Sequence, residues 1–393
     1  MTPKLRFSEF KGEWKRFLLK DIVEIKAGGD LPPFWSKEKN DECKFPIFSN
    51  SLENYGLYGY SKLPKITAKE SVTVTGRGSV GIPVFRKGAY TPIVRLLTLI
   101  PKNSYETDCK FLELAIQSIH IFIESTGVPQ LTSPQIGAYR IVLTEYKEQQ
   151  KIASLFRAVE QKINLLIKKK EALETYKRGL MQKIFSQELR FKREDGSDYP
   201  EWEKMKLGEV FKNIGGTALE NHFSDEGTHS VISIGNYRIN GKYYDNGQRI
   251  LLNEKTQTKL LEKDNLVMVL NDKTKTGDII GSTILIEENN IYIYNQRSER
   301  LICNTSILSP KYAWTFLNSK KFRRLIFSIS QGGTQIYVNF SAVKKLSFPV
   351  PCIEEQKKIA NHLFTIDTKI DLVDAQIENA QTFKKGLLHQ MFV

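Results

Sequence analysis

The chain has 393 residues, 40% hydrophobic and 11% aromatic, a globular composition with room for two or more cored domains. Its formal net charge of +14 favours an acidic partner, nucleic acid first and an anionic membrane surface second. No stretch nears 18 consecutive apolar residues, the start lacks a signal-peptide core, and Cys43, Cys109, Cys303 and Cys352 show no metal-ligand spacing. The expectation is a soluble, cytoplasmic protein with reduced thiols, no metal and no membrane partner.

In chain order, the first predicted elements are β-rich runs at Ser71–Thr75, Ile82–Phe85 and Ile93–Ile100, separated by Gly/Pro turns, then a helix over 110–124. After the first run comes Gly76-Arg-Gly-Ser-Val-Gly81. Its amides suit a phosphate and Arg77 suits a phosphate or a base edge, with Thr75 and Ser79 beside it. A plain hairpin turn is the alternative, because the Lys-Ser/Thr of a phosphate-binding loop is missing. Ser125-Thr-Gly-Val-Pro-Gln130 follows the helix and offers Thr126 and Gln130 for phosphate or adenine contacts, or serves as a structural turn. Lys37, Ser49 and Asn50 are weaker candidates.

A long helix is predicted over 148–185, and the charged stretch Lys192–Pro200 reads as a surface linker. A second β-rich set follows at Val231–Ile234, Asn265–Leu270, Ile279–Ile280, Thr283–Ile286 and Ile291–Tyr294, with a helix near 311–328. Lys273, Thr274, Lys275 and Thr276 occupy a polar, basic loop just after a strand, the place that Arg77 has in the first set. Gln331, Thr334 and Gln335 lie in Ser330-Gln-Gly-Gly-Thr-Gln335, before a second long helix over 355–392, and match the loop of Thr126 and Gln130. Asn236, Tyr237, Arg238 and Arg297 are weaker candidates.

The two long helices repeat: residues 148–185 align without a gap on 355–392. Identities include Glu148/Glu355, Gln149/Gln356, Ile152/Ile359, Ile163/Ile370, Gly179/Gly386, Leu180/Leu387 and Phe185/Phe392. Each copy has an apolar residue every seven, Ile152, Val159, Leu166, Leu173, Leu180 and Ile359, Ile366, Val373, Ala380, Leu387, which is a coiled-coil seam. A helix of that length spans ~57 Å, longer than one domain needs, so the copies are expected to pack on each other. Packing on the helix's own domain is the alternative for a single copy. The stretch from Trp14 to Gly29 echoes that from Trp202 to Gly216, and LRF recurs at 5–7 and 189–191, so antiparallel packing about a pseudo-twofold axis follows. The fold class is α+β.

An enzyme reading finds little support. The Asn/Asp-Pro-Pro-Tyr/Phe motif of base methylation is approached only by Asp30-Leu-Pro-Pro-Phe34, which Leu31 breaks, and the five histidines do not cluster. Diverged units on a matched frame suit a two-part reader, whereas a duplicated enzyme would repeat its catalytic residues.

The duplicated Glu-Gln-x-Lys-Ile-Ala helix starts, the helix ends Tyr176–Phe185 and Phe383–Phe392, the LRF…EW openings and the Thr/Gly/Gln loops together resemble the specificity subunits of type I restriction-modification systems, over nearly the whole chain. The resemblance implies two target-recognition domains joined by two long antiparallel helices. The divisions are a first domain at 1–147, a central helix at 148–186, a linker and second domain at 187–354, and a C-terminal helix at 355–393. It implies double-stranded DNA as ligand, each domain reading one half of a split asymmetric site. The helices would dock two methyltransferase subunits, which use S-adenosylmethionine, and restriction subunits would add translocation with ATP and Mg. No cofactor and no catalytic residue belongs to the chain itself. A coiled-coil nucleic-acid-binding adaptor and a stand-alone methyltransferase or nuclease remain as alternatives.

Overall fold

Short β-branched and aromatic runs fit a pleated, partly buried surface and so pair into sheets. The computed structural model describes residues 3–104, 106–121 and 129–392. The chain divides into two compact units, Met1–Lys168 with Asp374–Val393, and Lys169–Val373, a division that cuts through both long helices.

In the first unit, Val23–Ala27, Leu97–Pro101, Glu70–Val74 and Pro83–Lys87 form a four-stranded antiparallel sheet in that order. Helix Cys109–Ser118 packs on it and buries Phe111, Leu112, Leu114 and Ile116 in one core with Val72, Val74, Leu97 and Leu99. Asp108 caps this helix by accepting a hydrogen bond from the Phe111 N–H at 2.9 Å. A second sheet runs Trp35–Ser36, Leu57–Ser61, Phe45–Phe48, Thr91–Pro92. Lys15–Leu18 pairs with Arg140–Leu143 just ahead of the long helix Tyr146–Phe185.

The second unit repeats this plan. Phe211–Gly215, Ser298–Cys303, Leu266–Val269 and Thr283–Leu285 make its four-stranded sheet, and Glu203–Lys206 pairs with Ser347–Val350 ahead of the long helix Ile353–Met391. Its other sheet runs Arg249–Ile250, His229–Ile232, Tyr292–Tyr294.

Four expected elements differ. The run 93–100 is broken, because Val94 and Arg95 take left-handed φ of +54° and +60°, so Thr91–Pro92 joins one sheet and Leu97–Pro101 the other. The helix near 311–328 is two helices, Pro310–Leu317 and Lys320–Ser328. At the break, the Asn318 amide bonds both the N–H (3.1 Å) and the carbonyl (2.8 Å) of Thr283, and Ser319 caps the second helix. Ile279–Ile280 is a turn, since the Ile279 N–H is held by the Asp272 carboxylate at 2.7 Å. The helix expected over 110–124 ends at Ser118, and its last three residues lie outside the described residues.

Each unit locks the start of its long helix in the same way. Fully buried Glu148 accepts from the Arg6 guanidinium at 2.7 and 2.8 Å, and fully buried Glu355 from that of Arg190 at 3.3 and 3.0 Å. Beside them Gln149 donates to the carbonyls of Glu106 (2.9 Å) and Thr144 (2.7 Å) and accepts from the Asp108 N–H (3.0 Å). Gln356 does the same with Ile307, Pro351 and the Ser309 N–H, each at 2.8 Å. These bonds satisfy buried polar groups that would otherwise be costly, which explains why LRF and Glu-Gln recur together.

The seam residues enter these cores. In the first unit Ile152, Phe156, Leu387, Met391 and Phe392 share one core, with Val159 at its edge, and Leu166 is half-buried. In the second, Leu180, Ile184, Ile359, Leu363 and Ile366 share one core with Leu173 at its edge, and Val373 is buried. Ion pairs flank both, Lys384 with Glu160 at 2.7 Å in the first and Lys177 with Asp367 at 2.6 Å in the second.

Candidate nucleic-acid interface

In each unit a residue just past an inner strand of the larger sheet meets the segment that leads to the long helix. In the first unit the Leu131 N–H donates to the Gly76 carbonyl at 2.9 Å, and Arg77 bridges to Gln130. In the second the Val338 N–H donates to the Leu270 carbonyl at 2.9 Å, and Asn271–Asp272 pairs with Ile336–Tyr337. The loop after the strand thus stands beside Gln130 in the first unit and beside Ile336–Tyr337 in the second. By this frame Tyr337 is the counterpart of Gln130, so Gln335, matched to it by sequence, lies two residues earlier.

In the first unit Arg77 and Ser79 are exposed and Gln130 is half-buried; Thr126 lies outside the described residues. Thr75 is buried, accepts from the Ile82 N–H at 2.9 Å and donates to the Ser79 carbonyl, so it shapes the loop and is not presented to a ligand. Asn50 braces the same place, accepting from the Gly76 N–H at 2.7 Å and donating to the Val94 carbonyl at 2.5 Å. Ser49 donates to the Gly56 carbonyl at 3.4 Å. Lys37 belongs to the other sheet, where its ammonium donates to the Tyr58 carbonyl at 3.1 Å beside the exposed Trp35.

In the second unit the Asp272 carboxylate gathers the Thr274 N–H (2.9 Å), the Thr274 hydroxyl (2.8 Å) and the Ile279 N–H, which leaves Lys273 and Lys275 exposed at the tip. The Thr274 and Thr276 hydroxyls lie 2.8 Å apart. Gln331 is tied through its backbone to Tyr337 at 2.8 and 2.9 Å, and its side chain, like those of Thr334 and Gln335, is exposed. Like Thr75, two further expected contacts are corrected. Asn236 is fully buried, bonding Ser233, Tyr244 and Asn246, and the Tyr237 hydroxyl is buried against that of Ser298 at 2.8 Å, so neither faces a ligand. Arg238 is exposed, its guanidinium 3.6 Å from the Tyr244 ring centre.

A cavity of about 280 Å³ opens beside the second unit's loop pair, lined by Gly215, Gly216, Asn271, Arg297, Glu299 and Tyr337. Burial pushes the Glu299 carboxyl up, against a bond from the Asn213 amide that favours its charged form. Arg95, at the corresponding place in the first unit, was missed in the sequence. The signal that finds it is an arginine two residues before the strand that pairs with Val23–Ala27, as Arg297 stands before Glu299 opposite Gly215. Among the described residues no three His, Cys, Asp or Glu side chains form a metal site, and no helix is long and apolar enough to cross a membrane.

The model of the type I restriction modification DNA specificity domain matches residues 11–175 and again 199–381. The chain belongs to that family. Two family matches in one chain agree with the repeated frame. The MjaVIII specificity subunit of a type I restriction enzyme from Methanocaldococcus jannaschii is 26% identical over 96% of this chain and 91% of its own length. The type I specificity subunit S.MpnORF507P of Mycoplasma pneumoniae is 38% identical over 143 residues, 36% of this chain, and S.MpnORF89P of the same organism 34% over 152 residues, 38% of this chain. The match spans 39% and 44% of those two proteins. The fold resembles that of the S subunit of a type I restriction-modification system from M. genitalium, with a TM-score of 0.65 at 18% identity over 100% of this chain and 99% of that one.

Proposed function

We propose that the chain is the specificity subunit of a type I restriction-modification assembly, each unit reading one half of a split, asymmetric double-stranded DNA site. One observation carries this reading. The same pairing stands at the end of the same inner strand in both units with different side chains, Arg77 beside Gln130 in one and Asn271 beside Tyr337 in the other. Arg77, Ser79 and Gln130, and Lys273 to Thr276 with Gln331, Thr334 and Gln335, contact the duplex, and Lys37 and Arg238 extend the basic surface. The net charge of +14 supports binding a polyanion.

The long helices pair antiparallel as a coiled coil about a pseudo-twofold axis and space the two halves. Each unit supports this by placing the start of one helix and the end of the other in a single core. The helices also dock two methyltransferase subunits. Tyr176 and its repeat mate Phe383, each 56% exposed, and Gly179 and Gly386, where an added Cβ meets nothing within 4 Å, support a contact surface presented twice. The chain supplies specificity and no reaction of its own. Methyltransferase subunits bring S-adenosylmethionine, and restriction subunits bring ATP and Mg.

The test is an exchange of residues 15–147 for the first unit of another family member, read by mapping methylated sites in cells. One half of the site is expected to change while the other half stays. Loss of both halves, or a change in neither, would sink the proposal.

A further inference from the structure

Among the described residues only a few non-glycines have a left-handed backbone, and two of them are arginines at one structural position. The Gly28 N–H donates to the Leu96 carbonyl at 2.8 Å and the Gly216 N–H to the Ser298 carbonyl at 2.9 Å. The residue before each acceptor is an arginine, Arg95 with φ +60° and Arg297 with φ +69°. The surroundings fix both. The Arg95 N–H donates to the Gly28 carbonyl at 2.9 Å, and its own carbonyl lies 2.7 Å from where a Cβ on Gly76 would stand. The Arg297 carbonyl accepts from Leu270, the counterpart of Gly76, at 2.8 Å.

Glycine takes this backbone freely, and a residue with a side chain takes it at a cost. Neither arginine recovers that cost inside its unit. Both side chains are exposed, and neither guanidinium has a hydrogen-bond or ion-pair partner among the described residues. Both stand beside the loop pair, next to Arg77 and Gln130 in one unit and Asn271 and Tyr337 in the other. A phosphate contact needs only positive charge within reach, which the exposed Lys273 and Lys275 already provide. Reading a base edge needs a planar fork that starts from a fixed Cα.

We infer that Arg95 and Arg297 are the paired base-reading side chains of the two units, each setting its guanidinium against a guanine edge in its own half of the duplex. This rests on the reading of the chain as a DNA specificity subunit. Wild-type chain, assembled with its methyltransferase subunits, is incubated with a library of randomised duplexes, and the bound fraction is sequenced. A two-block motif tests that reading, and its absence overturns it before the arginines are considered. With the motif in hand, Arg95→Ala is expected to cut discrimination at one G·C pair of one block about tenfold to a hundredfold, and Arg297→Ala at one pair of the other block. Arg95→Gly and Arg297→Gly lose the same preference without a lower Tm, since glycine accepts the backbone, which separates lost contact from lost fold. Arg95→Lys and Arg297→Lys keep the charge but not the fork. Full discrimination in the lysine variants, or unaltered blocks in the alanine variants, would overturn the assignment.

Discussion

At the helix starts the two units solve one problem with the same residues, whereas beyond the end of one inner strand they place different residues on the same frame. Arg6 with Glu148 and Arg190 with Glu355 hold buried carboxylates whose loss of partner is expensive, so the pair tolerates little change. Arg77, Gln130, Asn271 and Tyr337 are anchored by their backbones, and their side chains are free to differ. Sameness therefore marks where polar groups are buried, and difference marks where side chains face outward. One variation inside the lock sharpens the point. Glu148 takes a bond from the Thr144 hydroxyl, leaving the buried Trp14 indole N–H without a partner. Pro351, the repeat mate of Thr144, has no hydroxyl, and Glu355 accepts from the Trp202 indole at 2.8 Å instead.

The largest expected effect breaks the lock itself. Glu148→Ala leaves the Arg6 guanidinium facing buried surface without its counter-charge, Glu355→Ala leaves that of Arg190 with only the exposed Glu201, and each should destabilise its unit by about 3 to 5 kcal/mol. Urea unfolding followed by tryptophan fluorescence measures this. A cost below about 1 kcal/mol for either would place it with ordinary surface pairs and end the claim that the two starts share one constraint.

A smaller effect separates the two tryptophans. Trp202→Phe removes a donor from a buried carboxylate, while Trp14→Phe removes an N–H that already lacks a partner. The first should cost about 1 to 2 kcal/mol more than the second in the same assay. Equal costs would mean that the indole bond to Glu355 adds nothing beyond packing.

Much of the frame was legible in the sequence. Helices expected over 148–185 and 355–392 occur as Tyr146–Phe185 and Ile353–Met391, because a seven-residue apolar period over five turns or more has few other solutions. The paired loops were legible from position alone, each a polar run after a strand. The lock was not, since Glu148 and Gln149 look like surface residues until Arg6, far off in sequence, is brought to them. Asn236 and Tyr237 misled in the opposite way, as polar loop residues that tertiary bonds to Tyr244 and Ser298 draw inside. The break at Val94 and Arg95 carries no mark in hydropathy, because it rests on backbone hydrogen bonds, from the Val94 N–H to the Gly29 carbonyl and from the Arg95 N–H to the Gly28 carbonyl, that join residues far apart in sequence.

The smallest effect tests whether repetition has a second cause. Gly179 and Gly386 are repeat mates like Glu148 and Glu355, yet Gly179 is exposed and Gly386 only half-buried, both in helix interiors, and a Cβ added to either meets nothing within 4 Å. Close packing cannot account for them. Glycine costs helix stability relative to alanine through backbone entropy, so Gly179→Ala and Gly386→Ala should each stabilise the chain by about 0.5 to 1 kcal/mol. If the proposed methyltransferase subunits approach the helices at these points, the same variants should bind them more weakly, because the added methyl groups stand in the contact. Titration of labelled variant chains with the methyltransferase, alongside urea unfolding, reads both quantities. Higher stability with weaker assembly would assign the glycines to the partner surface; higher stability with unchanged assembly would leave burial as the sole explained cause of repetition and remove these two positions from the docking face.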